Sequence, residues 1–449
     1  MSKKLNLTKD PIWYLLGKVT IPASVGSLFQ TFYNLVDTWF AGRISAEAIG
    51  AIAKSFPIYF VIIAVGVGIG AATNACIGNL LGEKKINKAS LFIAQSVVFA
   101  IITSVIVTLF GLNVSNFLLG VMGSDATSIA LTREYLDIIF YGTFIVMIQI
   151  SLNGALNAQG DTKSYRNVLI FSFFLNIFLN PLFIFGFGPI PAMGLKGAAM
   201  AALIARGAIF LGTIYLMHER IHMLTFRMPK LRELQASWKD ILHVGIPAAG
   251  TNAIIPIAMA LITAMLAQYG TEAVAGFGVA SRIESLVLVM FYALSAIIGP
   301  FIGQNLSAGK ADRIHKALYL CLKFCMSFGL IIALFLLFMS DLLPSLFSDN
   351  IMITETAALF LLIAPISYGA YGVVMAMNAA FNGMGKPGPA VIISMARMIV
   401  IYVPLAYLLQ YFFAISGIFI AYALANILSA FLAYRWAVDS VSGQIDKMS

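Results

Sequence analysis

The chain has 449 residues, of which 60% are hydrophobic and only 10% charged, with a formal net charge of +9. Its mean hydropathy is +0.93, whereas a soluble globular chain is about 45–50% apolar and about 25% charged. These values exclude a soluble domain, and they make the positive charge a sign of basic loops against anionic lipid rather than of nucleic-acid binding. Long apolar runs without alternation argue against a β-barrel, so the spans are helices whose backbone groups are satisfied internally. In chain order, about twelve runs lie near 15–42, 52–80, 90–113, 131–157, 164–187, 193–217, 241–268, 276–305, 317–340, 355–381, 388–411 and 415–437. Each is near the roughly 20 residues that a helix needs to cross a bilayer. The charged start (Lys3, Lys4, Lys9) leads into a span too long for a signal sequence, so that span is kept as helix 1.

The stretch 218–240 is longer, polar and basic (Arg220, Arg227, Lys230, Arg232, Lys239). It reads as a cytoplasmic linker between an N-terminal lobe, 1–217, and a C-terminal lobe, 241–449. Positive residues cluster before helix 1 and after helices 2, 4, 6 and 8, which places both termini in the cytoplasm.

The two halves repeat. Ile21-Pro22-Ala23 returns as Ile246-Pro247-Ala248, and Ile77-Gly78 as Ile302-Gly303, each 225 residues later. Asn153, Asn157 and Gly160 return as Asn378, Asn382 and Gly385 at the same spacing. Six spans per half make the repeat parallel, with an axis along the membrane normal and a cavity expected between the halves. The expected fold is therefore an all-α integral membrane protein with about twelve transmembrane helices in two six-helix lobes related by a parallel pseudo-two-fold repeat. Alternating access needs such symmetry; an enzyme, a channel or a receptor does not.

Few ionisable groups lie inside the runs. Asp37 sits deep in helix 1, and a carboxylate there marks an ion or substrate pathway by default. Pro22, near the start of the same run, lets the helix bend. Asn176 and Asn180 are four apart on helix 5 and share a face. Arg206, Arg282, Glu284 and Arg397 are the other intramembrane charges. Arg282 and Glu284 do not share a face, Glu284 can pair with Arg397, and a structural role is favoured for Arg206 and Arg397. Asn153 and Asn157 recur in both halves, which suggests packing, though they also stand as candidates to line the cavity. Gly66, Gly68 and Gly70 have no preceding strand, so they read as close helix packing rather than as a phosphate loop. Cys76, Cys321 and Cys325 have no metal or disulfide spacing. No metal cluster, P-loop or cofactor motif is present, so any pumping draws on an ion gradient or on a partner.

At this point the sequence resembles the multidrug and toxic compound extrusion (MATE) family, in its DinF-like prokaryotic branch. The resemblance rests on Gln30-Thr-Phe-Tyr-Asn-Leu-Val-Asp37-Thr38, on Asn153 to Gly160, on Asn176-Ile-Phe-Leu-Asn180-Pro181, and on Gly303-Gln304-Asn305. It implies a V-shaped pair of lobes in the cell (inner) membrane that exports cationic or amphipathic drugs in exchange for H⁺ or Na⁺. It implies that Asp37 is the coupling acid, with Asn176 as its polar partner, Asn180 beside them, and Gln30, Tyr33 and Asn34 facing substrate. Two positions depart from relatives: Asn180 stands where a second acid is common, and Ala202 where some carry a threonine.

The expected function is a monomeric secondary antiporter, H⁺-coupled through Asp37 and through bending of helix 1 at Pro22. A hard cation held without water needs several oxygen ligands with negative charge among them, whereas a proton needs one base. Na⁺ coupling is the alternative. A lipid-linked oligosaccharide flippase is the more distant one, since its cavity should be more cationic. Arg282, Glu284 and Arg397 are polar candidates in the C-terminal lobe. The sequence names no particular substrate.

Overall fold

The computed structural model describes residues 6–121, 126–221 and 230–445. Nearly all of them are helical. In the first half, α1 spans Ile12–Gly42, α2 Ala46–Gly82, α3 Ile86–Val121, α4 Ala126–Tyr141, α5 Thr143–Ala158, α6 Thr162–Ile184 and α7 Gly194–Leu216. In the second, α8 spans Leu231–Leu266, α9 Thr271–Val287, α10 Val289–Ser307, α11 Ala311–Met339 and α12 Leu342–Ser345. The chain then continues through α13, Ile351–Ile363, α14, Tyr368–Gly383, α15, Pro387–Met395, and α16, Val403–Ile445.

Among the described residues, ten stretches are long and apolar enough to cross a membrane, or eleven when α4 and α5, bent by 49°, count as one span. The longest, Pro387–Gly443, contains a break at Ala414, where φ is 50° and ψ −134°. That break separates the runs expected at 388–411 and 415–437, so counting its two legs apart recovers the expected twelve. The 218–240 stretch is not wholly a linker, because α8 already begins at Leu231. Arg227 lies outside the described residues.

Local chemistry explains the ends. Ser45, Asp161 and Asn350 cap α2, α6 and α13, their side chains accepting from the backbone N–H of Ala48, Ser164 and Met352. Gly160 and Gly385 follow α5 and α14 at φ 75° and 70°. Only glycine adopts that conformation without strain, which gives this part of the repeated motif its physical reason. The fourth span of each half is also broken at an equivalent place. α4 and α5 part at Gly142, and α13 and α14 part across the 3₁₀ turn Ala364–Ser367.

The chain forms two compact units, Pro22–Ala249 and Met1–Ile21 with Gly250–Ser449. These do not follow the halves 1–217 and 241–449, because α1 and α8 each change unit along their length. The first leg of α1 buries Ile12, Leu15 and Leu16 in the core of the second-half helices. The segment before it is held there too. Asn305 Nδ2 and Arg313 Nη2 donate to Leu7 O, both at 3.1 Å, and Lys310 Nζ donates to Thr8 O at 2.8 Å. Conversely, the first leg of α8 buries Ile241 and Val244 among the first-half helices. Ser237 Oγ donates to Gln95 Oε1, and Trp238 meets Phe99 edge to face at 5.7 Å.

The glycine reading of α2 holds. A Cβ at Gly68 would stand 2.4 Å from Gly245 O on α8, and one at Gly70 would stand 2.8 Å from Ile150 Cγ2 on α5. Small residues let the backbones approach where lipid offers no competing drive. Ser151 Oγ of α5 donates to Ser96 Oγ of α3 at 3.0 Å and lies 3.4 Å from Thr73 Oγ1 of α2, a buried cluster of hydroxyls.

Candidate functional site

The site is built on the second leg of α1, which carries Tyr33 and Asp37 one turn apart and therefore on one face. α6 faces it with Asn176 and Asn180, again one turn apart and both fully buried. Asn176 Nδ2 donates to Asp37 Oδ1 at 3.0 Å, and Asn180 Nδ2 donates to the same oxygen at 2.9 Å. Asn180 Nδ2 also donates to Asn176 Oδ1 at 3.1 Å, while Asn180 Oδ1 has no partner among the described residues. Two amide donors on one oxygen suit a carboxylate that carries no proton of its own, and charge-assisted bonds of this kind are the stronger ones.

α7 completes the cluster. Tyr33 Oη donates to Ala202 O at 3.0 Å, and Ser172 Oγ of α6 donates to Ala205 O at 2.8 Å. Position 202 thus serves through its backbone, so the missing threonine hydroxyl leaves no gap in this contact. One turn on, the Arg206 guanidinium lies 5.7 Å from the Tyr33 ring centroid and 5.6 Å from that of Tyr59 on α2. Sequence reasoning treated Arg206 as structural. The structure brings it beside Tyr33, at the Asp37 cluster, and the one available signal was its place inside an apolar run.

The other expected residues are placed as follows. Pro22 lies inside α1, which is helical throughout Ile12–Gly42, and it begins the compact unit Pro22–Ala249. Gln30 is half-buried and Asn34 exposed on α1. Asn153 and Asn157 are half-buried on α5, and neither bonds Asp37 among the described residues. In the second half their counterpart Asn378 donates to Ser394 Oγ at 3.0 Å.

The polar candidates of the second half divide. Arg282 is exposed. Glu284 and Arg397 are buried, but no direct ion pair between them is found among the described residues. Instead, α16 gives each a neutral partner. Tyr422 Oη donates to Glu284 Oε1 at 2.9 Å, and Arg397 Nη1 donates to Asn426 Oδ1 at 3.0 Å. Tyr422 and Asn426 are one turn apart, so a single helix face serves both charges. Asn426 Nδ2 then donates to Ser367 Oγ at 3.0 Å, in the 3₁₀ break, and Arg397 itself lies in the π-helical turn Ala396–Tyr402. The Arg397 guanidinium also rests 4.6 Å from the Tyr371 ring centroid. The possible Glu284–Arg397 pair is not formed among the described residues; each side chain bonds α16 instead, through partners that sequence spacing could not assign.

Comparison with known proteins places this arrangement. The family model described as MatE matches residues 22–182 and again 247–408, with the two starts one 225-residue repeat apart. The chain is 31% identical over 437 residues to a Shewanella oneidensis protein called FAD transporter, covering 97% of each. It is 27% identical to the probable multidrug resistance protein NorM of Thermotoga maritima, over 89% of this chain and 86% of that one. Among solved structures, the Vibrio cholerae MATE transporter VcmN in the bent form has a TM-score of 0.90 and 28% identity, covering 96% of this chain and 98% of that one. The doubled match and the near full-length relatives place this chain in the MatE family, whose members are membrane transporters and not enzymes.

Proposed function

We propose that this protein is a secondary antiporter that exports cationic or amphipathic compounds in exchange for H⁺, with Asp37 as the coupling carboxylate. The observation that carries this reading is the Asp37 cluster. It sets a lone acid in a membrane helix and gives it two amide donors from one neighbouring helix face. An intramembrane acid of this kind marks an ion pathway. Relatives named multidrug resistance or multidrug export proteins support the substrate class. H⁺ is favoured over Na⁺ because the cluster supplies one carboxylate, Asp37, with Asn180 where a second acid could stand and Ala202 where a hydroxyl could. A sodium ion held without water would need several oxygen ligands with negative charge among them, whereas a proton needs one base.

Release follows when Asp37 takes a proton. It then no longer attracts a cation, and helix 1 bends at Pro22 to open the site outward. The protein acts as a monomer in the cell membrane with both termini cytoplasmic, as the basic loops suggest. Proteoliposomes test the coupling. An imposed pH gradient alone should drive substrate movement, and a Na⁺ gradient at fixed pH should not; sodium-driven transport without a proton requirement would overturn the assignment. The relative called a FAD transporter favours a second reading, in which the cargo is an aromatic nucleotide.

A further inference from the structure

We propose that Arg206 and Tyr59 form an oxyanion subsite beside Asp37, which holds the phosphate or carboxylate group of an aromatic substrate. The inference rests on the reading that substrate passes the Asp37 cluster.

An arginine inside a membrane span normally pairs with an acid or with backbone carbonyls. Arg133 does so, bonding Asp137 at 2.8 Å and Leu112 O at 2.8 Å. Arg397 donates instead to the neutral Asn426 Oδ1 and is sealed from solvent, its Nε also without a partner among the described residues. Arg206 has no hydrogen bond of either kind among the described residues. It lies within the span Gly194–Glu219, its Nε has no hydrogen-bond partner among the described residues, and no carboxylate there forms an ion pair with it. Two ring faces lie against it, which attract a cation but accept none of the guanidinium's hydrogen bonds, and the Asp37 carboxylate is within electrostatic reach without bonding it. The side chain as a whole is half-buried, unlike that of Arg397.

A second group in the same place is also unsatisfied. The Tyr59 hydroxyl is buried without a partner among the described residues, and its ring is one of the two against Arg206. Buried donors without acceptors are uncommon and call for an explanation. An oxyanion satisfies both, because the planar guanidinium fork matches carboxylate and phosphate oxygens. The Asp37 side offers the complement, since Asn180 Oδ1 is an acceptor without a donor among the described residues. The cluster thus has one half suited to an anion and one suited to a cation. This fits molecules with an acidic group and a basic or N–H-bearing edge, carried on an aromatic body under the nucleotide reading above.

Riboflavin and riboflavin 5′-phosphate are a matched probe pair, differing by one phosphate. Their binding to the purified full chain in nanodiscs can be read by quenching of flavin fluorescence. The wild type should bind the phosphate ester at least tenfold more tightly than riboflavin. Arg206→Gln should bring that ratio close to one. Arg206→Lys, a point charge without the fork, should keep part of it, and Tyr59→Phe should lower it about threefold. Equal affinities in the wild type, or a ratio that survives Arg206→Gln, overturns the proposal. If Arg206→Gln does not fold, the Arg206→Lys and Tyr59→Phe ratios decide in the same way. Inorganic phosphate should compete only weakly; competition as strong as the ester's would overturn the aromatic part. Ethidium efflux from wild-type proteoliposomes reads the antiport separately, so failure of one is not mistaken for failure of the other.

Discussion

Replacing Asn180 by alanine removes two hydrogen bonds at once. One is charge-assisted, to Asp37 at 2.9 Å, and the other is neutral, to Asn176 Oδ1 at 3.1 Å. A hydrogen bond to a charged group contributes about 1.5–3 kcal/mol, and a neutral one about 0.5–1.5 kcal/mol. Asn180 is fully buried, so solvent is slow to compensate, and the expected loss is about 2–4 kcal/mol if neither group finds a new partner. The part owed to Asp37 is isolated by a double-mutant cycle with Asp37→Ala, which removes the acceptor. Its coupling energy should be about 1.5–3 kcal/mol at high pH, where Asp37 is ionised. It should fall toward the neutral range, about 0.5–1.5 kcal/mol, once the acid is protonated. Unfolding in mixed-micelle titrations, monitored by tryptophan fluorescence, measures all four corners. A coupling energy below about 0.5 kcal/mol at high pH, or one that ignores pH, would refute the claim that Asn180 holds the charged form.

Three further outcomes are expected. Asp37→Asn should abolish transport driven by a pH gradient while the protein still elutes as a folded species on size exclusion, since amide and acid have similar shapes; wild-type transport would remove Asp37 from the mechanism. Gly68→Val should destabilise the unit Pro22–Ala249, because its Cβ would stand 2.4 Å from Gly245 O, and overpacking of this kind costs about 1–3 kcal/mol. A thermal-shift assay in detergent should show the loss. Asn426→Leu should cost more than Tyr422→Phe, about 3–5 against about 1–3 kcal/mol, because it strips the Arg397 charge of its hydrogen-bond acceptor; equal midpoints in the same assay would argue against that network.

Composition and period determined the class of this protein. A chain so apolar must satisfy its backbone internally, so helices follow from the solvent alone. The 225-residue spacing is likewise a property of the sequence, and the helix breaks at Gly142 and Ala364–Ser367 and the left-handed Gly160 and Gly385 follow it. Helical geometry also made the Asn176–Asn180 face legible, because residues four apart on one helix must be neighbours. Tertiary structure alone decided which distant faces meet. Asp37 is 139 residues from Asn176, and Glu284 is 138 from Tyr422. Nothing in local spacing tells Glu284 to meet that tyrosine rather than Arg397. The exchange of the first legs of α1 and α8 was hidden for the same reason. Apolar legs are chemically alike, and only the close approach of particular surfaces, such as Gly68 against Gly245, selects the unit on which each one packs.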